Sequence, residues 1–371
     1  MTKMKMYRVT LEPLDWFFFG GESTFDNSVK TSYIAHSNKF PQQTALLGML
    51  RYQLLKQDHL LTVNDMKRPN LDDVKERIGE GSFDMDNNGQ TFGYIRGLSP
   101  VFIEKNGDVD LFSVPLSYSY DLSFETGVEV YLNGKKKNTL ISDLNSAGEN
   151  TFNPKIFNNY MKLYCKNGDT EMLENIFETK MQVGITKNTD FENDKDRDEN
   201  RFFKHEMVRF LRSDCNRFRF AFYVELSNGY LKDDFVFLGA ERSCFKMQVS
   251  ELTDTSGAKK IFMNNHPCKS EKGRIVLLSS TYVNDLEKLN VLCKFHWSFS
   301  VPFRNIIQAK DGSGHLKSGV ISYHRRDICY NMFCMGTVLF FDEKDRKEIE
   351  GLLDNAHLQD IGYNYFDSMI K

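Results

Sequence analysis

Proline is scarce, 8 in 371 residues beside 24 glycines, which excludes a collagen-like or proline-rich low-complexity chain. No CxxC pair occurs among the seven cysteines, Cys165, Cys215, Cys244, Cys268, Cys293, Cys329 and Cys334. Their odd count and scattered spacing exclude a disulfide framework and argue against zinc; reduced, buried thiols of a cytosolic protein are expected. Long apolar runs are also missing. MTKMKMYRVTLE holds no signal-peptide core, and Trp16–Phe19 and Thr337–Phe341 are far shorter than a membrane span. A cytoplasmic location without a membrane partner is the expectation. A surplus of positive charge is absent as well: the net charge is −3, so any binding of nucleic acid must rest on local patches.

The common catalytic signatures are missing. There is no GxxxxGK[ST] phosphate loop, no GxSxG elbow and no HExxH pair. Two acidic stretches imitate calcium loops. DFENDKDRDEN, Asp190–Asn200, has Lys195 and Arg201 where an EF-hand needs Gly and a bidentate Glu. DMDNNG, Asp84–Gly89, has its glycine but meets Ile95 at the twelfth position. Both read as solvated loops, and no metal or cofactor is expected. A metal-free ribonuclease would need a histidine, tyrosine or lysine at a 2′-hydroxyl; His36, His205 and His324 are the candidates.

What is present is an ordinary soluble composition, 40% apolar and 27% charged, with an aromatic content of 13%, including 31 Phe and 16 Tyr. The length suggests two domains. Met6–Leu11 alternates as a strand. In FPQQTALLGMLRYQLL, Pro41 is expected to open a helix whose stripe is Leu46, Leu47, Leu50 and Leu54, with Gly48 packed closely on a sheet. Residues 56–90 read as a partly helical insert, followed by strands at Val101–Glu104, Asp110–Leu116 and Thr126–Leu132. Residues 151–180 read as helical, then come strands at Lys180–Ile185, Phe202–Leu211 and Arg217–Leu226 around a charged loop, 186–200. A short helix is expected near Leu231–Phe237, before a strand at Phe245–Val249. Residues 253–273 form a polar connection. Strands at Ile275–Tyr282, Leu292–Val301, Val320–His324 and Thr337–Phe341 and a helix at Glu343–Asn355 complete a second unit. The alternation suggests a split βαβ arrangement in each unit, an α+β fold divided into residues 1–252 and 253–371.

Two stretches carry chemistry suited to RNA. VPFRNIIQAKDGSGHLKSGVISYHRRDICY sets Arg304, Lys310, Lys317, Arg325 and Arg326 against only Asp311 and Asp327, among glycines that let backbone amides approach phosphate. Tyr323 and His324 add stacking surface. LGAERSC repeats the logic on a smaller scale: a tight turn at Gly239 projects Arg242.

LEPLDWFFFGGESTF, FPQQTALLGMLRYQLL, QVGITKNTDFENDKDRDENRFFKHEMVRF, FLGAERSC and HWSFSVPF…LKSGVISYHRRDICYNMFCMGTVLFF, in that order and spacing, resemble the third Cmr subunit of type III-B CRISPR–Cas effector complexes, a family of the RAMP superfamily. The resemblance runs from residue 7 to the C-terminal IGYNYF. It implies two ferredoxin-like (RRM-like) RAMP domains with insertions and a non-catalytic role. Such a subunit grips the 5′ repeat-derived handle of crRNA, docks the large polymerase/cyclase-type subunit and meets a backbone RAMP subunit. Target RNA is engaged indirectly and cut elsewhere. The carried-over RNA contacts are Gly20, Gly21, Glu22 and Ser23 in the first loop, and Gln43, Thr44 and Arg51 on the first helix. Gly239, Glu241 and Arg242 match the family's Gly-Gly-Glu-Arg turn, with Ala240 replacing one glycine. Lys310, His315, Lys317, Arg325 and Arg326 make up the basic C-terminal stretch. The chain departs from the family at Glu22, where a basic residue is common, and at Cys334–Thr337, where Pro-Ala-Gly-Ser is usual. A stand-alone, metal-independent RAMP endoribonuclease that processes crRNA precursors is the alternative.

Overall fold

In the computed structural model the described residues are 4–20, 34–61, 70–113, 128–132, 135–139, 162–165, 170–172, 175–185, 202–213, 215–239, 241–255, 273–308, 323–325 and 328–367. They form a mixed α/β protein with mostly antiparallel sheets. The largest sheet has nine strands. Along it run Thr170–Met172, Lys162–Cys165, Val109–Ser113, Phe102–Lys105, Phe218–Leu226, Lys5–Pro13, Ser243–Glu251 and the edge strand Asp234–Leu238; Ile95–Leu98 also pairs with Phe218–Leu226.

The first strand shows why the sheet is two-faced. Tyr7, Val9 and Leu11 point into the main core, while Arg8 and Glu12 alternate onto the other face. The sheet covers one side of that core. The helix Gln43–Gln57 covers the other with Leu46, Leu47, Leu50 and Leu54, all buried as the spacing requires. Pro41 lies just outside this helix, whose N-cap is Gln42, so proline sets the approach and not the first turn. Gly48 is on the exposed side, and a Cβ there would meet nothing within 4 Å. The expected close packing at Gly48 is therefore corrected.

Two helical expectations give way to strands. The described parts of 151–180 hold Lys162–Cys165, Thr170–Met172 and the start of Phe177–Ile185. There, pairing with Val109–Ser113 and Phe202–Phe210 satisfies the backbone, and that tertiary context overrides local propensity. Likewise Asp234–Leu238 is a strand, with DFVFL alternating exposed and buried positions against Ser243–Glu251.

The C-terminal part has a four-stranded antiparallel sheet in the order Cys293–Trp297, Val338–Phe341, Gly273–Leu277, Phe366–Asp367. The helices Leu286–Leu292 and Arg346–Leu353 share its core through Leu289, Ile349 and Leu353. This part does not sit apart from the first. Phe303, Tyr330, Met332, Leu358, Ile361 and Tyr363 belong to the main core cluster. Gly362 completes the junction: at φ +92° it lies so close to Gln43 and the Ser99 carbonyl that no side chain fits. Among the described residues no helix is long and apolar enough to cross a membrane.

Candidate nucleic-acid interface

After Pro13 the chain leaves the sheet. The Leu14 N–H still donates to the Cys244 carbonyl at 3.0 Å. Trp16–Gly20 is then stitched to three other segments. Phe17 exchanges backbone hydrogen bonds with Val208, at 2.7 and 2.9 Å. The Phe18 N–H donates to Ser243 Oγ at 3.2 Å, and the Phe19 N–H to Ser37 Oγ at 2.9 Å. Phe17, Phe18 and Phe19 are buried. Phe17 and Phe19 lie 4.8 Å apart between centroids, and Phe19 stacks on Phe245. The aromatic run is thus core. Trp16 remains half-buried between Lys180 Nζ, 4.5 Å from its ring centre, and the Arg209 guanidinium at 4.3 Å.

Phe18 also fixes the turn of LGAERSC. Gly239 has φ +86°, and a Cβ on it would stand 2.3 Å from the Phe18 carbonyl oxygen. Only glycine tolerates both conditions. The Arg242 N–H closes the turn on the Gly239 carbonyl at 3.1 Å. Arg242 itself has φ +50° and lies with its guanidinium 5.3 Å from the Phe237 ring centre. It makes no ion pair among the described residues, and Glu241 beside it is exposed.

Gly20 is next to this turn. Phe19–Gly20 pairs with Ser37–Asn38. Ser37 and Asn38 in turn line a cleft of about 410 Å³ that reaches Lys39, Gln43, Ser280 and Tyr363. A continuous edge therefore runs from Arg242 past Gly20 to the start of the first helix. Gln43 is only 4% exposed there: its Nε2 donates to the Ser99 carbonyl at 2.8 Å and to Ile361 at 3.1 Å. Thr44 is half-buried beside it. Arg51 is two turns further on and turned inward. Its Nη1 donates to the Gly81 carbonyl at 2.7 Å, the guanidinium faces Phe92 at 5.6 Å, and burial lowers its pKa to about 10.

The remaining expected residues divide simply. Gly21, Glu22, Ser23, Lys310, His315, Lys317 and Arg326, with the loop 186–200, lie outside the described residues. Arg325 is in the strand Tyr323–Arg325, paired with Ile306–Gln308. Of the histidines, His36 is exposed with Nδ1 2.8 Å from Glu206 Oε2, and His205 is buried edge-on to Phe18. Among the described residues no group of His, Cys, Asp or Glu is arranged to hold a metal ion.

Sequence reasoning missed the polar network on the outer face of the large sheet. Arg8 donates to Glu104 Oε2 at 2.7 Å, to both Asp110 oxygens at 3.1 and 2.6 Å, and to the Tyr223 hydroxyl at 2.9 Å. Arg219 bonds the other Glu104 oxygen at 2.8 Å and Gln248 at 2.7 Å. Burial opposes the charge of Arg8, but Asp110 and Glu104 outweigh it and hold its pKa above the usual value. The four ionic residues are 96 or more positions apart where they meet, so no local pattern could reveal them. Phe235 and Phe237 were hidden by the expectation of a helix, although the period-two pattern of DFVFL was their signal.

These features define a mixed α/β protein with a sheet edge bearing glycine turns and an arginine that makes no ion pair among the described residues. The family model described as CRISPR-associated protein (Cas_Cmr3) matches residues 9–365. The chain belongs to this family of CRISPR-associated proteins. It is similar over 98% of its length, and 97% of the other chain, to a chain in the cryo-EM structure of the type III-B Cmr-beta bound to cognate target RNA, at 15% identity and a TM-score of 0.46. No curated protein shows a significant match.

Proposed function

We propose that this subunit grips the 5′ repeat-derived handle of crRNA without cutting it, docks the large polymerase/cyclase-type subunit and meets a backbone RAMP subunit. The single observation that supports it best is the continuous edge from the Gly239–Arg242 turn through Gly20 to the cleft at Gln43. Bare glycine backbone lets phosphate oxygens approach amides, and Arg242, which makes no ion pair among the described residues, supplies charge where the chain as a whole has none to spare. Single-stranded bases can then splay onto neighbouring aromatics.

The fold we assign is a pair of ferredoxin-like units. Strand order supports this in both. In the first, Ser243–Glu251, Lys5–Pro13, Phe218–Leu226 and Phe102–Lys105 are antiparallel neighbours in the order 4-1-3-2 of a split βαβ repeat. The C-terminal sheet has that same order, with both crossover helices in place. In the first unit the second crossover carries the edge strand Asp234–Leu238 where the repeat would have a helix.

Ultraviolet crosslinking of crRNA to the assembled complex tests the reading. Crosslinked peptides are expected from 235–242 and 37–43, joined to handle nucleotides. Crosslinks confined to spacer nucleotides, or to other subunits, would refute it. One observation favours the endoribonuclease reading: the exposed His36 and Glu206 pair could act as an acid–base dyad near the same edge. Metal-independent cleavage of repeat RNA by the purified chain, lost in His36→Ala, would establish that alternative and sink the non-catalytic one.

A further inference from the structure

The edge strand Asp234–Leu238 buries Val236 and Leu238 and turns Phe235 and Phe237 outward, 57% and 56% exposed. Large aromatics rarely stand free of the core, and two on one face of one strand form a patch that calls for an occupant. In a strand they are about 6.8 Å apart, side by side on one face; in a helix they would diverge. Phe237 already carries the Arg242 guanidinium over its ring, and Lys246 is opposite Phe235 in the next strand.

Charge identifies the occupant. Neither Arg242 nor Lys246 makes an ion pair among the described residues. The carboxylates nearby are mostly engaged: Asp234 binds Lys56 at 2.5 Å, Asp233 accepts the Val249 N–H at 2.8 Å, and Glu12 is held by Arg217. Glu241 is exposed and makes no ion pair among the described residues. Two cations without an ion pair among the described residues, beside two exposed rings and next to a glycine turn, suit a polyanion with flat faces. A hydrophobic protein surface would leave those cations unanswered.

We propose that Phe235 and Phe237 are a stacking platform for two bases of single-stranded RNA, with Arg242 and Lys246 meeting the flanking phosphates. This rests on the reading of the glycine edge as an RNA path and extends that path onto the outer face of the large sheet. Val236 and Leu238 anchor the strand from behind, so the rings can be changed without removing core.

The test is fluorescence anisotropy of the full-length chain with a labelled single-stranded crRNA across a salt series. Phe235→Leu with Phe237→Leu keeps apolar area but removes the rings. It is expected to weaken binding about tenfold or more while leaving the salt slope unchanged. Arg242→Gln is expected to weaken binding and reduce the slope by about one. Phe235→Trp with Phe237→Trp should preserve binding. If the wild-type chain binds and the Leu variant binds equally well, the platform is overturned and the RNA reading stands. If the Leu variant binds RNA normally but no longer assembles with the other subunits, the patch is a protein interface and the proposal is wrong. If the wild-type chain binds no RNA at all, the underlying reading fails with it.

Discussion

Replacing Gly239 by alanine probes the contact on which the interface is built. Two effects add. At φ +86° an L-residue is strained by about 1–2 kcal/mol. The new methyl would also stand 2.3 Å from the Phe18 carbonyl and 3.2 Å from the Phe19 ring. Relief requires the Phe18 backbone to retreat, which disturbs its bond to Ser243 and the Phe19 pairing with Asn38. Together these give a loss of about 2–3 kcal/mol, within the range for strain at a special backbone position. A chain of 371 residues should then melt about 3–4 °C lower, read by differential scanning fluorimetry, and RNA binding should weaken in step. Gly48→Ala is the internal control. Its site is helical, exposed and open, so alanine should stabilise the helix by about 1 kcal/mol. If Gly239→Ala melts like wild type, the close approach to Phe18 does not set the turn, and the construction of the edge collapses.

Glu104→Gln should destabilise the chain by about 3–5 kcal/mol in urea unfolding, because it strips the shared carboxylate from Arg8 and Arg219 in a largely buried network; a change below about 1 kcal/mol would show that the network is solvated in practice. Phe17→Ala should cost about 3–5 kcal/mol, since the ring is fully buried among Phe19, Phe210, Phe220 and Phe245; a near-neutral outcome would contradict the aromatic core. Alkylation followed by mass spectrometry at pH 8 should modify Cys215 and Cys329 quickly. Cys293, buried with its thiol pKa pushed up to about 12, should react only after unfolding. Rapid native labelling of Cys293 would place it at the surface.

Much of this organisation is legible in the chain itself. The alternation in KMYRVTLEP and the leucine stripe of the first helix specify their elements because each must bury one face. The aromatic run before Gly20 is harder. Four large residues in a row match neither period, and only the surrounding hairpin, the 37–38 strand and the Gly239 turn explain how three of them are buried at once. Asp234–Leu238 failed as a helix because its neighbour in the sheet, absent from any local window, supplies its hydrogen bonds. For the candidate site, Gly239 and Arg242 could be singled out by residue type, but Asn38 could not: it reaches the edge only by pairing with Phe19. Arg51 illustrates the opposite limit. As a cation on a helix face it suits phosphate, yet Gly81 and Phe92, 30 and more residues away, draw it inward.

The central claim is tested most directly by competition. The purified chain is given labelled crRNA carrying its repeat-derived 5′ handle, then challenged with unlabelled crRNA whose handle is intact or scrambled, at matched salt. The account predicts that the intact handle competes about tenfold better or more, as one or two specific base contacts would give. Equal competition by both RNAs would contradict it.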